Sequence, residues 1–190
     1  MSQSDFPLPP DLPAPVDDGA ADHLVGRALP SLALPATDGT TVDLADLGAG
    51  RTILYVYPMT GRPGVDLPDG WNEIPGARGC TPESCAFRDH FAELREAGAA
   101  AVHGVSTQDT AYQREAAERL ALPFTMLSDA GLALAADPGL PTFEAGGMTL
   151  YRRITLIVAA GRIEHVFYPV FPPDAHAGEV LAWLRDHPAA

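Results

Sequence analysis

The chain has 190 residues, of which 46% are hydrophobic and 19% are charged, a size and composition that suit one soluble globular domain. Its formal net charge of -13 disfavours nonspecific binding to phosphate backbones or anionic lipid, so we expect no nucleic-acid partner and no membrane partner. No stretch approaches the roughly 18 consecutive apolar residues that a membrane-spanning helix requires, and the acidic, proline-rich start differs from a secretory signal, so we expect a cytoplasmic protein.

The N-terminal segment is rich in proline and in acidic residues, as in the stretch LPPDLPAPVDD. Such a composition favours an extended chain over a packed one. We predict a disordered arm over residues 1–23 and one domain over residues 24–190.

The first part of the domain carries strand signals. LALPATDGTTVDL reads as two short strands around a turn at Asp38-Gly39. RTILYVYP is a continuous apolar and β-branched run ended by Pro58, which is typical of a strand buried on both faces of a parallel sheet. The next residues, about 59–79, are rich in glycine and proline without periodicity. They predict a long inserted loop that covers a pocket, shapes substrate choice or forms an interface.

A helix is predicted for TPESCAFRDHFAELREAG, with Thr81 as the N-cap, Pro82 at the first helical position and Gly98 at the end. Its predicted core positions recur at helical spacing: Phe87, Phe91 and Leu94.

The rest of the chain alternates strands and helices. AAAVHGVST and PFTML are predicted strands, whereas DTAYQREAAERLAL, DAGLALAAD and DAHAGEVLAWLRDH are predicted helices. RRITLIVAAGRIEHVFYP reads as two strands joined by a turn at Gly161. This order predicts an α/β domain with a central mixed β-sheet flanked by helices.

Cys80 and Cys85 are the only cysteines of the chain. Two thiols are too few for a scaffold stapled by disulfides or for a four-thiolate zinc site, and the six histidines show no ligand-like pairing. Taken alone, the count also fits two buried small hydrophobic residues without chemistry.

The predicted helix places Cys80 at its start, where unpaired backbone N–H groups and the helix dipole favour an anion. Arg78 adds positive charge nearby, and both effects favour a thiolate, so Cys80 is the candidate nucleophile. Cys85 lies about one turn further along. Five residues of intact helix advance roughly 7.5 Å, beyond the ~7 Å between Cα atoms that a disulfide allows. A disulfide between the two cysteines therefore requires the helix start to unwind.

Several landmarks, taken in order, resemble the peroxiredoxins. They are GCTPESCAFRD after a strand ending in YVYP, followed by VHGVST, LPFTMLSD, GLPTF and RRITLIV. Within that family the chain is most similar to the atypical two-cysteine PrxQ group, also called bacterioferritin comigratory protein, over roughly residues 24–187. The resemblance implies a thioredoxin-like fold and the reduction of hydrogen peroxide and organic hydroperoxides.

By this resemblance, Cys80 is the peroxidatic cysteine, which peroxide oxidises to a sulfenic acid, and Cys85 is the resolving cysteine that forms a disulfide with it. Thioredoxin or a similar dithiol would reduce that disulfide. No metal or organic cofactor is implied, and we expect a monomer or weak dimer.

The resemblance also implies an arginine beside the thiolate, in a segment of the form Arg-x-Thr. Arg153 matches this pattern, whereas strand alternation should turn Arg152 to the opposite face. The family carries a threonine or serine three residues before the peroxidatic cysteine, and this chain has Ala77 there. We expect either that Thr60 folds back over Cys80 or that backbone N–H groups replace the missing hydroxyl.

Two other functions stay open. A peroxide-responsive redox sensor or regulatory protein could use the same thiol pair as a conformational switch without high turnover. A thioredoxin-type disulfide reductase is disfavoured, because the chain has no CxxC motif.

Overall fold

The computed structural model describes residues 6–189. Its strands, in chain order, are β1 (Ala33–Pro35), β2 (Thr41–Asp43), β3 (Arg51–Val56), β4 (Ala99–Ser106), β5 (Met126–Ser128), β6 (Thr142–Ala145), β7 (Met148–Tyr151), β8 (Ile154–Ala159) and β9 (Arg162–Phe167). Its helices are α1 (Cys80–Asp89), α2 (Phe91–Glu96), α3 (Thr110–Arg119), α4 (Ala133–Ala136) and α5 (His176–Asp186), with a short 3-10 turn at Trp71–Glu73. Within this part of the chain, no helix is long and apolar enough to cross a lipid bilayer.

The central sheet has five strands in the order β5-β4-β3-β8-β9. The middle strand β3 pairs in parallel with β4 and antiparallel with β8, so the sheet is mixed. Every residue of β3 is buried. Because side chains alternate along a strand, Ile53 and Tyr55 enter the core on one face, and Leu54 and Val56 enter it on the other. The prediction of a strand buried on both faces is confirmed.

Different elements cover the two faces of the sheet. On the face of Ile53, the helices α1, α2 and α5 contribute the buried residues Phe87, Leu94 and Leu184. On the other face, β1 and α4 contribute Leu34 and Leu134. The sequence prediction of a sheet flanked by helices is confirmed, and the layer with α1 is the one that carries both cysteines.

One predicted helix is two helices in the structure. α1 begins at Cys80 with Gly79 as its N-cap, so Thr81 is not the cap, and His90 separates α1 from α2. Gly79 has a φ of 113°, a left-handed conformation that suits glycine because it has no Cβ atom. Cys80 consequently lies inside the first helical turn.

The hairpin of β6 and β7 is absent from the sequence-based prediction. The two strands pair antiparallel across Gly146-Gly147, whose φ values of 57° and 75° are positive. This Gly-Gly pair is the signal that could have identified the turn. Phe143 of β6 and Leu150 of β7 pack in one cluster with Trp71. The hairpin therefore holds the inserted loop against the domain.

The structure differs from the expected disorder over residues 6–23, which lie against the domain. Asp18 accepts a hydrogen bond from Tyr168 Oη at 2.8 Å. Pro15 packs beside Gly76, where an added Cβ atom would lie 3.5 Å from Pro15 Cγ. These partners are far away in sequence, so the composition of the arm does not reveal them. The first five residues of the predicted arm lie outside the described residues.

Candidate active site

Cys80 is the first residue of α1, and only 3% of its surface is exposed. The helix start fixes its backbone, because the N–H of Glu83 donates to the carbonyl of Gly79 at 3.0 Å. Its side chain belongs to the core cluster that also contains Tyr55 and Tyr57. The thiol thus lies at the positive end of a helix and away from bulk water.

Arg153, just before β8, contacts the thiol directly. Its Nη2 donates to Cys80 Sγ at 3.2 Å and to the carbonyl of Ala77 at 3.2 Å. Its Nε donates to the carbonyl of Gly76 at 3.3 Å. Because the arginine is 3% exposed, these contacts are shielded from water. Arg153 therefore holds both the sulfur and the loop that leads into α1.

The neighbouring Arg152 lies elsewhere. It is half-buried, and its Nε donates to the carbonyl of Thr142 at 3.2 Å. Its Nη1 lies 3.6 Å from Asp18 Oδ2. The structure thus brings Arg153, and not Arg152, to Cys80.

Glu83 extends the buried charges beyond Arg153. It is fully buried on α1, and its Oε2 forms an ion pair with Arg153 Nη1. Its Oε1 has no hydrogen-bond partner among residues 6–189. Burial raises the pKa of this carboxyl, and Arg153 opposes the rise. Sequence analysis did not identify Glu83; its position three residues after Cys80, on the same face of the helix, is the available signal.

Opposing effects set the pKa of Cys80. Burial raises it, the positive charge of Arg153 lowers it, and the carboxylate of Glu83 raises it again. The result is a pKa above the ordinary value for a thiol, which differs from the expectation that the helix start and Arg78 lower it, because burial outweighs the opposing charges. Arg153 is the main group that opposes this rise, so its contact with the sulfur favours the thiolate.

Thr60 is buried, but its hydroxyl contacts Gln108. The hydroxyl donates to Gln108 Oε1 at 3.1 Å, and the backbone N–H of Thr60 donates to the same oxygen at 2.9 Å. A hydroxyl has one proton to donate, so Thr60 in this arrangement does not donate to Cys80. The backbone N–H of Met59 lowers the pKa of Cys80, and the thiol donates to the carbonyl of Ala77 at 3.7 Å. Of the two expected replacements for a hydroxyl at Ala77, the direction of the Met59 effect agrees with a backbone donor.

Cys85 is fully buried in the same intact helix, and both thiols are free. Burial raises the pKa of Cys85. The hydroxyl of Tyr55 donates to Oγ of the neighbouring Ser84 at 3.1 Å. Phe87 stacks on the Tyr55 ring with the ring centroids 4.4 Å apart. Unwinding the start of α1 would therefore disrupt packing against the central strand.

A cleft of about 440 Å³ opens over Cys80. The arm contributes Phe6, Pro7 and Leu8 to its lining, and the inserted loop contributes Trp71, which is buried. The inserted loop therefore shapes the space in front of the thiol.

The arrangement provides a nucleophile at the start of α1. Between residues 6 and 189, no group of three or more histidine, cysteine, aspartate or glutamate side chains is placed to hold a metal ion. A thiol at a helix start with a buried guanidinium beside it can attack an electrophilic oxygen, and the guanidinium can stabilise the negative charge that develops.

Known proteins are similar to this chain in sequence and in fold. The Redoxin family model matches residues 24–181. The chloroplastic peroxiredoxin Q of Triticum aestivum is 32% identical over 181 residues, which cover 92% of this chain and 75% of the relative. Peroxiredoxin Bcp of Escherichia coli (strain K12) is 32% identical over 166 residues, which cover 85% of this chain and 96% of the relative.

The fold agrees with the sequence match. The crystal structure of peroxidoxin BcpB from Mycobacterium tuberculosis aligns with a TM-score of 0.69 at 29% identity, covering 87% of this chain and 99% of that protein. The expected thioredoxin-like fold is confirmed. With the order of strands, the thiol at the start of α1 and the sequence match all in agreement, the chain belongs to the redoxin family, among the peroxiredoxins of the PrxQ and Bcp group.

Proposed function

We propose that the chain is a thiol-dependent peroxidase in which Cys80 attacks hydrogen peroxide or an organic hydroperoxide. The observation that carries the proposal is the 3.2 Å contact between Arg153 Nη2 and Cys80 Sγ at the start of α1. The guanidinium favours the thiolate, and it also stabilises the negative charge that develops on the leaving oxygen.

In the first step, the thiolate sulfur bonds to the terminal peroxide oxygen and the O–O bond breaks. The other oxygen leaves as hydroxide or alkoxide and takes a proton from water, so the peroxide is reduced to water or an alcohol. Cys80 is oxidised to a sulfenic acid. Cys85 sulfur then displaces the hydroxyl of the sulfenic acid, which releases water and leaves a Cys80–Cys85 disulfide. Thioredoxin or a similar dithiol restores both thiols by exchange and is itself oxidised.

Turnover with a dithiol tests the proposal. Purified protein is mixed with hydrogen peroxide, thioredoxin, thioredoxin reductase and NADPH, and NADPH oxidation is followed. Sustained turnover supports the peroxidase, whereas consumption of one equivalent of peroxide per chain without turnover favours the redox sensor. A parallel reaction with dithiothreitol separates the choice of reductant from the chemistry at Cys80. No peroxide consumption in either reaction contradicts the proposal.

Replacing Cys85 by serine should stop the cycle after one oxidation. Cys80 keeps Arg153 and the Met59 N–H, so its first reaction with peroxide should proceed, but no thiol is present to resolve the sulfenic acid. Mass spectrometry should find one to three added oxygen atoms on Cys80. An intact chain that still turns over with thioredoxin, without any disulfide between two chains, would show that Cys85 is not required for resolution.

The disulfide should unwind the start of α1. Because five residues of intact helix separate the two Cα atoms by more than a disulfide permits, the bridge is compatible only with an opened segment. Amide hydrogen exchange over residues 80–90 should therefore be much faster in the disulfide form than in the dithiol form. Residues 52–57 of β3 provide the internal control and should change little. Equal protection of α1 in both forms, with the bridge confirmed by mass, would contradict the unwinding.

A further inference from the structure

Residues 59–60, which follow β3, lie next to a residue that follows β4. β3 ends at Val56 and β4 ends at Ser106, and the two strands pair in parallel. The residues after two neighbouring parallel strands meet at the same edge of the sheet. Met59 and Thr60 come after β3, and Gln108 comes after β4. The topology therefore brings Gln108 against Thr60.

The side-chain amide of Gln108 pairs with every polar group of Thr60. Its Oε1 accepts from the Thr60 N–H at 2.9 Å and from the Thr60 hydroxyl at 3.1 Å, and its Nε2 donates to the Thr60 carbonyl at 3.1 Å. Tyr112 Oη, on α3, donates to the same carbonyl at 3.1 Å. Because Thr60 is fully buried, these bonds are shielded from water. One side chain thus fixes both the donor and the acceptor of the Thr60 backbone.

The backbone of Gln108 is itself held by the edge of the sheet. Its N–H donates to Ser106 Oγ at 3.3 Å, and its carbonyl accepts from Ser128 Oγ at 2.7 Å. Ser106 and Ser128 are the last residues of β4 and β5, and both are buried. The amide of Gln108 therefore projects from a rigid support, which a residue that positions another group requires.

Met59 connects Thr60 to the surroundings of Cys80. Its side chain packs against the apolar cluster that contains Ala77, and it lines the same cleft as Cys80. The carbonyl of Ala77 accepts from the Cys80 thiol at 3.7 Å and from Arg153 Nη2 at 3.2 Å. The backbone N–H of Met59 lowers the pKa of Cys80. A movement of Thr60 also moves Met59, because one planar peptide unit joins the two residues.

We propose that Gln108 is a positioning residue of the peroxidase site, which holds Thr60 and thereby keeps the backbone of Met59 in place beside Cys80. Residues 59–60 then supply a backbone donor in a chain that has Ala77, and no hydroxyl, three residues before the thiol. Gln108 acts on the sulfur through Thr60 and Met59. The inference rests on the proposed peroxidase chemistry at Cys80 and adds a residue on which the reactivity of that thiol depends.

Gln108→Ala tests the proposal. Rapid quenching and mass spectrometry give the rate constant for oxidation of Cys80 by hydrogen peroxide from pH 5 to pH 10. At pH 7 this rate constant should fall about ten- to hundredfold, because a misplacement of about 1 Å at a reacting group costs up to 10²-fold. The rise of the rate with pH should also move to higher pH, since the Met59 N–H that lowers the pKa of Cys80 is no longer held in place.

The pH profile separates positioning from a loss of stability. Arg153 and Glu83 are the charged groups that act on Cys80, and they pair with each other. Among residues 6–189, neither forms a hydrogen bond with Gln108, so both should stay in place in Gln108→Ala. A purely structural role of Gln108 would lower the melting temperature and leave the pH profile unchanged. That outcome overturns the proposal.

Gln113→Ala is the matched control, because it removes another amide from the same edge of the sheet. Gln113 is fully buried, and its Nε2 donates to Ser106 Oγ at 3.0 Å and to the Leu127 carbonyl at 2.8 Å. It also reaches Tyr57 Oη at 3.5 Å, but none of its hydrogen bonds within residues 6–189 involves residues 59–62. Its loss should lower the melting temperature at least as much as Gln108→Ala does, while the rate still rises at the wild-type pH. An equal pH shift in the two variants overturns the proposal.

Thr60→Val separates the positioning of the backbone from the hydroxyl itself. Valine loses the 3.1 Å hydroxyl contact with Gln108 but keeps the backbone bonds of 2.9 Å and 3.1 Å. Its rate constant should therefore fall less than that of Gln108→Ala. A larger loss in Thr60→Val would show that the hydroxyl acts on the sulfur directly, and would contradict the role of Gln108.

Tyr112→Phe provides a second test of the same segment if Gln108→Ala does not fold. It removes one hydrogen bond to the Thr60 carbonyl and keeps the ring, whose centroid lies 4.2 Å from Arg62 Cζ. The rate constant at pH 7 should fall about two- to tenfold, the usual effect of one hydrogen bond, and the rise with pH should move to higher pH. A wild-type rate and pH profile in Tyr112→Phe would then overturn the proposal.

The outcomes also separate this inference from the proposed function. If hydrogen peroxide does not oxidise Cys80 in the wild-type protein, the peroxidase proposal fails and the inference fails with it. If the wild type reacts and Gln108→Ala matches it at every pH, the peroxidase proposal stands and Gln108 is not a positioning residue.

Discussion

Replacing Cys80 by serine is expected to abolish peroxide reduction while the fold is retained. A serine hydroxyl is not ionised near neutral pH, and a hydroxyl is a far weaker nucleophile than a thiolate unless a base activates it. The Arg153 guanidinium that contacts the sulfur is a donor, and the Ala77 carbonyl that accepts from the thiol at 3.7 Å is too weakly basic to take its proton. Peroxide consumption with thioredoxin or with dithiothreitol should fall to the level of the buffer.

The comparison with Cys85→Ser makes this result specific. Both substitutions replace a buried thiol of α1 by a hydroxyl, so they make the same chemical change in the same helix. Near-UV circular dichroism should show retained tertiary packing in both. Only Cys80→Ser should lose the first oxidation, and sustained turnover by that variant would overturn the assignment of Cys80 as the nucleophile.

Arg153→Met is expected to slow the reaction of Cys80 with peroxide by about 10² to 10³, the usual effect of removing one donor that stabilises a developing oxyanion. The substitution also removes the main group that lowers the pKa of Cys80. Loss of a positive charge raises a thiol pKa, so less thiolate is present at neutral pH and the rise of the rate with pH should move to higher pH. Rate constants measured from pH 5 to pH 10 check both the size and the direction of the effect.

A double variant separates this chemistry from folding. Arg153→Met leaves the buried carboxyl of Glu83 without its ion-pair partner, and breaking a buried pair in this way costs about 3–5 kcal/mol. Adding Glu83→Gln removes the unpaired charge and should recover part of the stability. In the double variant, the rise of the rate with pH should still occur at a higher pH than in the wild type, because Arg153 affects the pKa of Cys80 more than Glu83 does.

Arg152→Met is the positional control for these variants. Arg152 carries the same charge on the next residue, but it is half-buried beside Asp18. Its loss should leave the pH profile of Cys80 oxidation close to that of the wild type. A larger effect from Arg152 than from Arg153 would contradict the alignment of the Arg-x-Thr segment with the site.

The N-terminal arm has some properties that follow from its local sequence and others that depend on the folded chain. Its prolines disfavour regular secondary structure, and the described residues 6–23 contain no helix or strand. The contacts of Asp18 with Tyr168 and of Pro15 with Gly76 depend on residues far along the chain. Local composition reports the conformations available to a segment and carries no information about which distant surface it meets.

Some features of the site follow from the sequence by itself. The uninterrupted apolar run of β3 predicts its burial, because a strand with no polar face must be covered on both sides. The glycine, threonine and proline around Cys80 place a helix start within one residue of the thiol. The Arg-x-Thr motif of the family resemblance selects Arg153 over Arg152, although both arginines lie between β7 and β8 and not within a strand. Each of these inferences uses a pattern of neighbouring residues.

The tertiary structure alone decided the remaining contacts of the thiol. The backbone N–H of Met59 lowers the pKa of Cys80, the Thr60 hydroxyl donates to Gln108, and Glu83 is buried against Arg153. These groups come together because the segment after β3 and the segment before β8 both lie at the start of α1, across separations of 21 residues for Met59 and Cys80 and 70 residues for Glu83 and Arg153. A backbone N–H is present at every residue except proline, so no sequence pattern marks the one that points at the sulfur. Burial of a glutamate likewise depends on its partner, because the charge is tolerated inside only where the folded chain places a cation beside it.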